Sequence, residues 1–181
     1  MKGEAIRKLK QAQRFARTKQ LNTILSSDTN QGLGIITSGL TYLSVLDVLE
    51  TTQTRPDILK LGMINPLDEQ ILIDFLSSHK QVLILEELDN ILELQIKALA
   101  FDNGINTSII GKVDDDDFIG EYTPDKTFKK LGTTWPDLGL NPADEDSELF
   151  DVPARPAQMC PGCGHRSAFF AIKKALSASD I

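Results

Sequence analysis

The sequence predicts an α/β fold with an open, mainly parallel sheet flanked by helices, followed by an extended acidic arm and a C-terminal helix. Between residues 30 and 113 the apolar pattern switches repeatedly between a period of two and a period of 3.6 residues. The joints are short, and strands that alternate with helices across short joints form parallel sheets with right-handed crossovers. One strand is apolar throughout its centre, which indicates burial on both faces.

Residues 1–29 are predicted to form a basic helical linker. The first twenty residues carry seven Lys and Arg side chains and one acid, Glu4, while Leu9, Ala12 and Ala16 lie at helical spacing. Basic amphipathic helices bind nucleic acid or membrane surfaces in some proteins. Here the net charge is -7 and no further basic patch with interleaved aromatic residues follows. We therefore expect a solvated connecting helix, with neither nucleic acid nor a membrane as partner.

The α/β domain is predicted to span residues 30–113. Strands are expected at 33–37, 58–64, 81–85 and 107–110, and helices around 42–49, 65–76 and 92–99. Asn65 is the expected N-cap of the second helix, with Pro66 at its first helical position. Asn103 and Gly104 are expected to end the third helix through a left-handed residue.

Three polar features of this domain are candidates for chemistry. Glu86 and Glu87 follow a central strand, but adjacent strand residues point to opposite faces, so they are not a cooperating pair. We expect one of them to cap the next helix or to meet another subunit. The turn 37–39 either needs Gly39 for its geometry or forms an anion site at a helix N-terminus. His79 is expected to end a helix, where a cation suits the helix dipole.

Residues 114–158 are predicted to be an acidic connecting arm. The stretch begins with four consecutive aspartates, contains several prolines and shows no persistent helical or strand period. A structureless joint of this length is improbable inside one compact domain. The pattern favours an arm that crosses another surface, anchored by Trp135 and Phe150, with a disordered acidic tail as the alternative.

The composition also indicates in which cellular compartment the protein is expected. No run of about 20 apolar residues is present, and the first residues lack the apolar core of a secretory signal. The two cysteines are three residues apart, and such a pair in a reducing compartment is more often metal-binding or redox-active than structural. We expect a cytoplasmic protein.

Residues 159–181 contain the cluster that packing does not explain. It runs Cys160-Pro-Gly-Cys163-Gly-His165-Arg166 and opens a helix. Four interpretations remain open: a zinc site, which needs four ligands; a thioredoxin-like dithiol; two thiolates of an iron–sulfur site; or two packing cysteines. Gly162 and Gly164 would let backbone N–H groups approach an anionic cofactor, and the helix dipole would assist.

Two stretches of the chain resemble one enzyme family. Leu33 to Gly39, Leu61-Gly62 and Val82 to Leu88 are similar to the transketolase-C-terminal-like domain of the 2-oxoacid:ferredoxin oxidoreductases, in particular to the large (alpha) subunits that act on indolepyruvate and other arylpyruvates. The segment from Arg155 to Arg166 resembles the opening of that family's thiamine-diphosphate-binding domain.

The resemblance implies oxidative decarboxylation of a 2-oxoacid to an acyl-CoA, with electrons passed to ferredoxin. It implies thiamine diphosphate with Mg²⁺ and an iron–sulfur cluster as cofactors. Gly162, Cys163, Gly164, His165 and Arg166 would lie at the cofactor, and Cys160 with Cys163 would be metal ligands. The α/β domain would be structural.

The resemblance also implies a piece of a larger subunit. The 181 residues lack the family's pyrimidine-binding domain, its magnesium–diphosphate motif and its ferredoxin-like cysteines. The expected partners are the remaining domains of the alpha subunit, a smaller subunit and ferredoxin, and we expect no cofactor bound to this chain alone. The rival interpretation is a non-catalytic α/β interaction module with a Cys-x-x-Cys dithiol.

Overall fold

The computed structural model describes residues 2–140 and 162–178. The chain divides into two compact units, Met1–Ala143 and Asp144–Ile181. The elements of the first unit are α1 (Lys2–Thr18), β1 (Thr23–Leu25), β2 (Leu33–Ser38), α2 (Thr41–Leu49), β3 (Asp57–Leu61), α3 (Glu69–Ser78), β4 (Gln81–Leu85), α4 (Ile91–Asp102), β5 (Ser108–Ile110), a 3₁₀ helix (Asp115–Phe118), α5 (Pro124–Thr134) and a second 3₁₀ helix (Pro136–Leu138). The second unit contributes α6 (Gly164–Ala178).

The first unit is built on a five-stranded sheet with the order β1-β3-β2-β4-β5. Strands β3, β2, β4 and β5 are parallel, as the sequence predicts. β1 pairs antiparallel with β3 through Thr23 and Lys60. This edge strand lies within the predicted helical linker and was not expected, because its three residues are all exposed and show no alternation.

Strand alternation divides the core into two layers. Ile35 and Leu83 face one side, where they pack with α2 and α5. Ile36 and Ile84 face the other side, where they pack with α3 and α4. In β4 every residue after Gln81 is buried, which confirms the prediction of a strand covered on both faces.

α3 begins later than predicted. Its first residue is Glu69 and its N-cap position is Asp68, whereas Asn65 and Pro66 lie in the preceding turn, joined by a cis peptide bond. Asp68 instead binds Arg17 of α1, whose guanidinium donates to both carboxylate oxygens. The prediction of Asn65 as N-cap is therefore wrong. The helix begins three residues later than predicted from the local sequence, and its N-cap residue, Asp68, is held by Arg17 of the distant helix α1.

The prediction of a connecting arm over residues 114–158 is wrong for its first part, since residues 115–140 belong to the α/β unit. Thr123 caps α5 by accepting a hydrogen bond from the backbone N–H of Lys126, and Pro124 stands in the first turn. Leu131 and Trp135 are buried in the core layer of α2. α5 is short and contains three lysines and only two buried residues, so its sequence shows no clear helical period. The rest of the predicted arm, with Phe150, lies outside the described residues.

Candidate functional site: the helix-opening segment and the carboxyl edge of the sheet

The predicted cofactor-binding residues open α6. Gly162 has φ +81°, a left-handed conformation that favours glycine, and Gly164 is the first helical residue. The Sγ atom of Cys163 lies 3.4 Å from Nδ1 of His165. The backbone N–H of Arg166 donates to the carbonyl of Cys163 over 3.1 Å. The structure thus brings the thiol and the imidazole together on the first turn.

This turn has the chemistry of an anion-binding element. A helix N-terminus presents backbone N–H groups and a positive dipole end. The first turn carries no acidic side chain, and it does carry Arg166. Among the described residues, no heavy atom lies within 4 Å of the position that a Cβ would occupy at Gly162 or Gly164. These features are those of an anion-binding turn, and the cofactor-binding role of the segment stays a prediction.

The described residues do not form a complete metal site. Within 2–140 and 162–178, no group of three His, Cys, Asp or Glu side chains is placed to hold a metal ion. Cys163 and His165 are two donors, whereas structural zinc and iron–sulfur sites use four. Cys160 lies outside the described residues, so the pair Cys160 and Cys163 stays a prediction.

The two glutamates after β4 hold the N-termini of two helices. The carboxylate of Glu86 accepts hydrogen bonds from the backbone N–H groups of Leu92, over 2.8 Å, and Glu93, over 2.7 Å. Glu87 accepts a bond from the hydroxyl of Thr41, over 3.3 Å, at the start of α2. The prediction that one glutamate caps the next helix is confirmed. Glu87 places a carboxylate at the start of α2, beside the turn of Gly39, whose φ of +62° requires glycine there.

A buried ionic cluster next to this edge was not predicted. Asp117 accepts bonds from the ammonium of Lys130 (2.5 Å), the phenol of Tyr122 (3.0 Å) and the backbone N–H of Val113 (2.7 Å). Burial raises the pKa of Asp117, but these hydrogen bonds outweigh it and lower that pKa to about 2. Burial, together with the bond to Asp117, raises the pKa of the Tyr122 phenol.

Lys112 joins this cluster to the end of β4. Its ammonium donates to the carbonyls of Glu86 and Asp117, each over 2.5 Å. Burial lowers the pKa of Lys112, and the nearby carboxylates of Glu86 and Asp117 oppose that effect. Because each of these charges has hydrogen-bond partners inside the protein, the cluster ties the turns together. In the sequence, Asp117 is the last of four aspartates, and nothing local marks it as the buried one.

His79 stands at the end of α3, as predicted, but it is buried. Its Nδ1 lies 2.7 Å from the carbonyl of Phe75, and its Nε2 lies 3.2 Å from Oδ2 of Asp57. Oδ1 of Asp57 accepts from the side-chain amide of Asn30 over 2.9 Å. His79 therefore links α3 to the start of β3 and to the loop before β2, at the edge opposite Glu86.

The α/β unit matches a known sequence family. Residues 23–133 match the family described as the indolepyruvate oxidoreductase domain. The match runs from β1 almost to the end of α5, and thus past the predicted boundary at residue 113. None of the helices in the described part of the chain is long and apolar enough to cross a membrane.

Several curated proteins are similar over most of the chain, and each is called indolepyruvate oxidoreductase subunit IorA. The protein of Methanothermobacter marburgensis is 34% identical over 183 residues, which cover 100% of this chain and 29% of the relative. That of Pyrococcus horikoshii is 39% identical over 156 residues, which cover 82% of this chain and 24% of the relative. That of Archaeoglobus fulgidus is 27% identical over 181 residues, which cover 93% of this chain and 27% of the relative.

The chain spans less than a third of the length of these relatives. The family match nevertheless covers more than half of the chain and lies within the first unit, where it contains all five strands. The protein therefore belongs to the indolepyruvate oxidoreductase domain family and is homologous to part of subunit IorA.

Proposed function

We propose that this chain is an internal part of the alpha subunit of a thiamine-diphosphate-dependent 2-oxoacid:ferredoxin oxidoreductase. The proposed substrate is an arylpyruvate such as indolepyruvate, which would be oxidatively decarboxylated to an acyl-CoA with electrons passed to ferredoxin. The observation that carries the proposal is the similarity to subunit IorA along the whole chain, including the segment that opens α6. The α/β unit has a structural role in this proposal.

The first turn of α6 is the proposed contact with the diphosphate end of the cofactor. Gly162 and Gly164 leave room for close approach of the backbone, and Arg166 and His165 supply polar or positive groups. When bound, thiamine diphosphate supplies the electron sink that stabilises a carbanion. The residues of this chain would hold and orient the anionic end of the cofactor.

Cys160 and Cys163 are proposed as two thiolate ligands of an iron–sulfur cluster. The remaining ligands would come from the rest of the subunit, since the described residues supply too few. Because the Sγ atom of Cys163 lies 3.4 Å from Nδ1 of His165, both side chains would reach the same part of the cofactor site. No step of the reaction is assigned to either cysteine.

A metal analysis tests the cysteine assignment. The anaerobically purified full-length subunit is compared with its Cys163→Ser variant, and iron and acid-labile sulfide are measured. We expect both to fall together in the variant. Ser177→Ala, on the last turn of the same helix, is the control and is expected to keep both. Metal-free protein with a reversible disulfide would instead support a dithiol interaction module.

The 181-residue chain alone is expected neither to turn over substrate nor to bind thiamine diphosphate tightly. Titration calorimetry of thiamine diphosphate with Mg²⁺ into the chain tests this expectation. A dissociation constant of about 1 µM, worth about 8 kcal/mol, would overturn it. In the full-length subunit, Arg166→Ala should weaken cofactor binding by roughly tenfold, whereas Lys173→Ala, further along α6, should not change it.

The proposed partners are the remaining domains of the alpha subunit, a smaller subunit and ferredoxin. Co-purification of the full-length subunit with the smaller subunit, followed by reduction of ferredoxin in the presence of CoA and indolepyruvate, tests the complete activity. An assembly that binds thiamine diphosphate but reduces no ferredoxin with any 2-oxoacid would refute the proposed reaction.

A further inference from the structure

Exposed apolar side chains follow the carboxyl ends of three neighbouring strands. Leu40 follows β2 and is 69% exposed, Leu88 and Ile91 follow β4 at 57% and 61%, and Val113 and Ile119 follow β5 at 73% and 66%. β2, β4 and β5 are adjacent and parallel, so their carboxyl ends meet at one edge of the sheet. We call the surface formed by these five residues the apolar edge.

Hydrogen bonds hold the turns of the apolar edge together. The turn after β2 is joined to the turn after β4 by the bond from Thr41 to Glu87, over 3.3 Å. The turn after β4 is joined to the segment after β5 by Lys112, which donates to the carbonyls of Glu86 and Asp117. The apolar side chains are thus presented on a preformed surface, which lowers the entropy lost when a partner binds.

Leu88 occupies an unfavourable backbone conformation on this surface. Its φ is +59°, in the left-handed region that bulky side chains rarely adopt. The side chain is mostly exposed, so its burial in this unit does not offset that cost. Strained residues of this kind concentrate where a protein contacts a ligand or partner.

Acidic side chains flank Leu88 and Val113 in the apolar edge, while Lys126, Lys129 and Lys130 line the cavity beside Val113 and Ile119. Glu87 and Asp89 flank Leu88, and Asp114, Asp115 and Asp116 follow Val113, and all five are exposed. A partner segment must therefore combine apolar side chains with positive charge, because complementary charges guide and orient association.

Helix α1 has both properties. Lys2–Thr18 contains six Lys and Arg side chains and one acid. Ile6 is 47% exposed and Leu9 is 48% exposed. Every residue from 2 to 11 is exposed, and the helix is tied to its own unit near its C-terminal end, where Gln13 donates to the carbonyl of Leu67 over 2.6 Å. Helices gain most of their stability from packing an apolar face, and none of residues 2–11 is buried by the described part of the chain.

We propose that the apolar edge binds α1 of a second copy of this chain. Its own α1 leaves the edge uncovered, since the five side chains are 57–73% exposed. Arg17 ties α1 to Asp68 in the segment that follows β3, on the far side of β2 from β4 and β5. In the proposed reciprocal exchange each copy supplies one helix and one edge, which gives a closed two-fold dimer. This inference does not depend on the proposed oxidoreductase activity.

Sedimentation velocity of the 181-residue chain tests the proposal. We expect a concentration-dependent dimer at about 0.1 M salt and weaker association at about 1 M salt, where the screening length falls from about 10 to about 3 Å. A chain that remains monomeric at both salt concentrations up to about 0.1 mM protein, which corresponds to a binding free energy weaker than about 5 kcal/mol, overturns the proposal.

Leu88→Asn separates docking from folding. Asparagine accepts the left-handed conformation more readily than leucine, so the variant should unfold at a higher temperature. It should nevertheless dimerise at least about tenfold more weakly, because an exposed apolar contact is lost. Phe101→Asn is the matched control: Phe101 is 86% exposed at the end of α4, away from the edge, and its loss should leave the dimer unchanged. Undiminished dimerisation of Leu88→Asn overturns the proposal.

Charge reversal identifies the occupant. One variant carries Arg7→Glu, Lys8→Glu, Lys10→Glu and Arg14→Glu in α1, and a second carries Asp89→Lys, Asp115→Lys and Asp116→Lys at the edge. Each alone places like charges at both contacts and is expected to be monomeric. In an equimolar mixture both contacts become complementary, and the dimer should return. A mixture that stays monomeric, or variants that each still dimerise, would exclude α1 as the bound segment.

Discussion

Replacing Asp117 with Asn tests whether the buried ionic cluster stabilises the α/β unit. The change keeps the size of the side chain but removes its charge, and it turns one acceptor oxygen into a donor. In the native protein, Oδ2 accepts bonds from Lys130, Val113 and the backbone N–H of Asp114 (3.3 Å), while Oδ1 accepts from Tyr122. The side chain is 7% exposed, so solvent cannot replace these partners.

The pKa of Asp117 gives the magnitude. Folding lowers this pKa from 3.8 to about 2, because the hydrogen bonds outweigh the opposing effect of burial. A depressed carboxyl pKa contributes stability that is present above the unfolded value and lost as the pH falls through the folded value. At about 1.4 kcal/mol per pH unit, the contribution is about 2 kcal/mol at pH 7 and about 1 kcal/mol at pH 3.

Urea unfolding at both pH values is the assay. Trp135, the single tryptophan of the chain, is buried in the adjoining core layer, so its fluorescence reports unfolding of this unit. We expect Asp117→Asn to lower the free energy of unfolding by about 2–4 kcal/mol at pH 7 and by about 1 kcal/mol less at pH 3. Asp115→Asn, an exposed neighbour in the same 3₁₀ helix, should change it by less than about 0.5 kcal/mol.

Two results would refute this reasoning. The first is an equal loss for Asp117→Asn and Asp115→Asn, which would mean that the buried bonds contribute nothing specific. The second is a loss that does not shrink at pH 3, which would assign the effect to packing and not to charge. A double-mutant cycle with Lys130→Met separates the ion pair and should give a coupling of about 1–3 kcal/mol.

Three further substitutions test other contacts of the unit. Trp135→Phe removes the bond from its indole N–H to Oε1 of Gln81 (2.7 Å) and should cost about 1–2 kcal/mol, measured by circular dichroism during urea unfolding. Gly111→Ala places a Cβ against the buried carboxylate of Glu93 and should cost about 1–3 kcal/mol in the same assay. Glu86→Ala removes both bonds to the first turn of α4 and should cost about 1–2 kcal/mol, with faster amide exchange there.

The controls for these three changes are exposed positions nearby. Thr133→Ala, Gly104→Asn and Glu87→Ala should each alter the unfolding free energy less than the corresponding buried change. Gly104 has φ +64°, and a Cβ added there would meet no atom of the described residues within 4 Å, so we expect asparagine to be tolerated. A stable Gly111→Ala protein would show that Glu93 moves aside at little cost, contrary to its burial and its bond from the backbone N–H of Lys112.

The parallel strands were predictable because their apolar residues repeat locally. β4 occurs where predicted, from Gln81 to Leu85, and Glu86 caps the following helix as expected. α5 escaped prediction because its stabilising contacts come from α2 and the sheet, whereas its own sequence is dominated by polar positions. β1 escaped because a three-residue edge strand has no side-chain period to detect.

In the candidate site, too, some features were predictable from the sequence and others depend on the folded structure. Gly162 to Arg166 are predicted from sequence to contact a cofactor, since glycines, a thiol and basic groups at a helix start are typical of anion binding, and this role stays a prediction. The approach of Cys163 to His165 depends on the turn and the helix that follows. The apolar edge brings together residues 40, 88 and 119, which are far apart in the chain, and only the order of the strands makes them neighbours.

The sequence alone determined the α/β class, the parallel strands, the basic character of α1 and the chemistry of the segment that opens α6. Each of these depends on residue types within a window of a few positions. The tertiary structure decided which aspartate is buried, where the α/β unit ends and which apolar side chains share one surface. Those features depend on contacts between residues far apart in the chain, where packing and desolvation outweigh local preference.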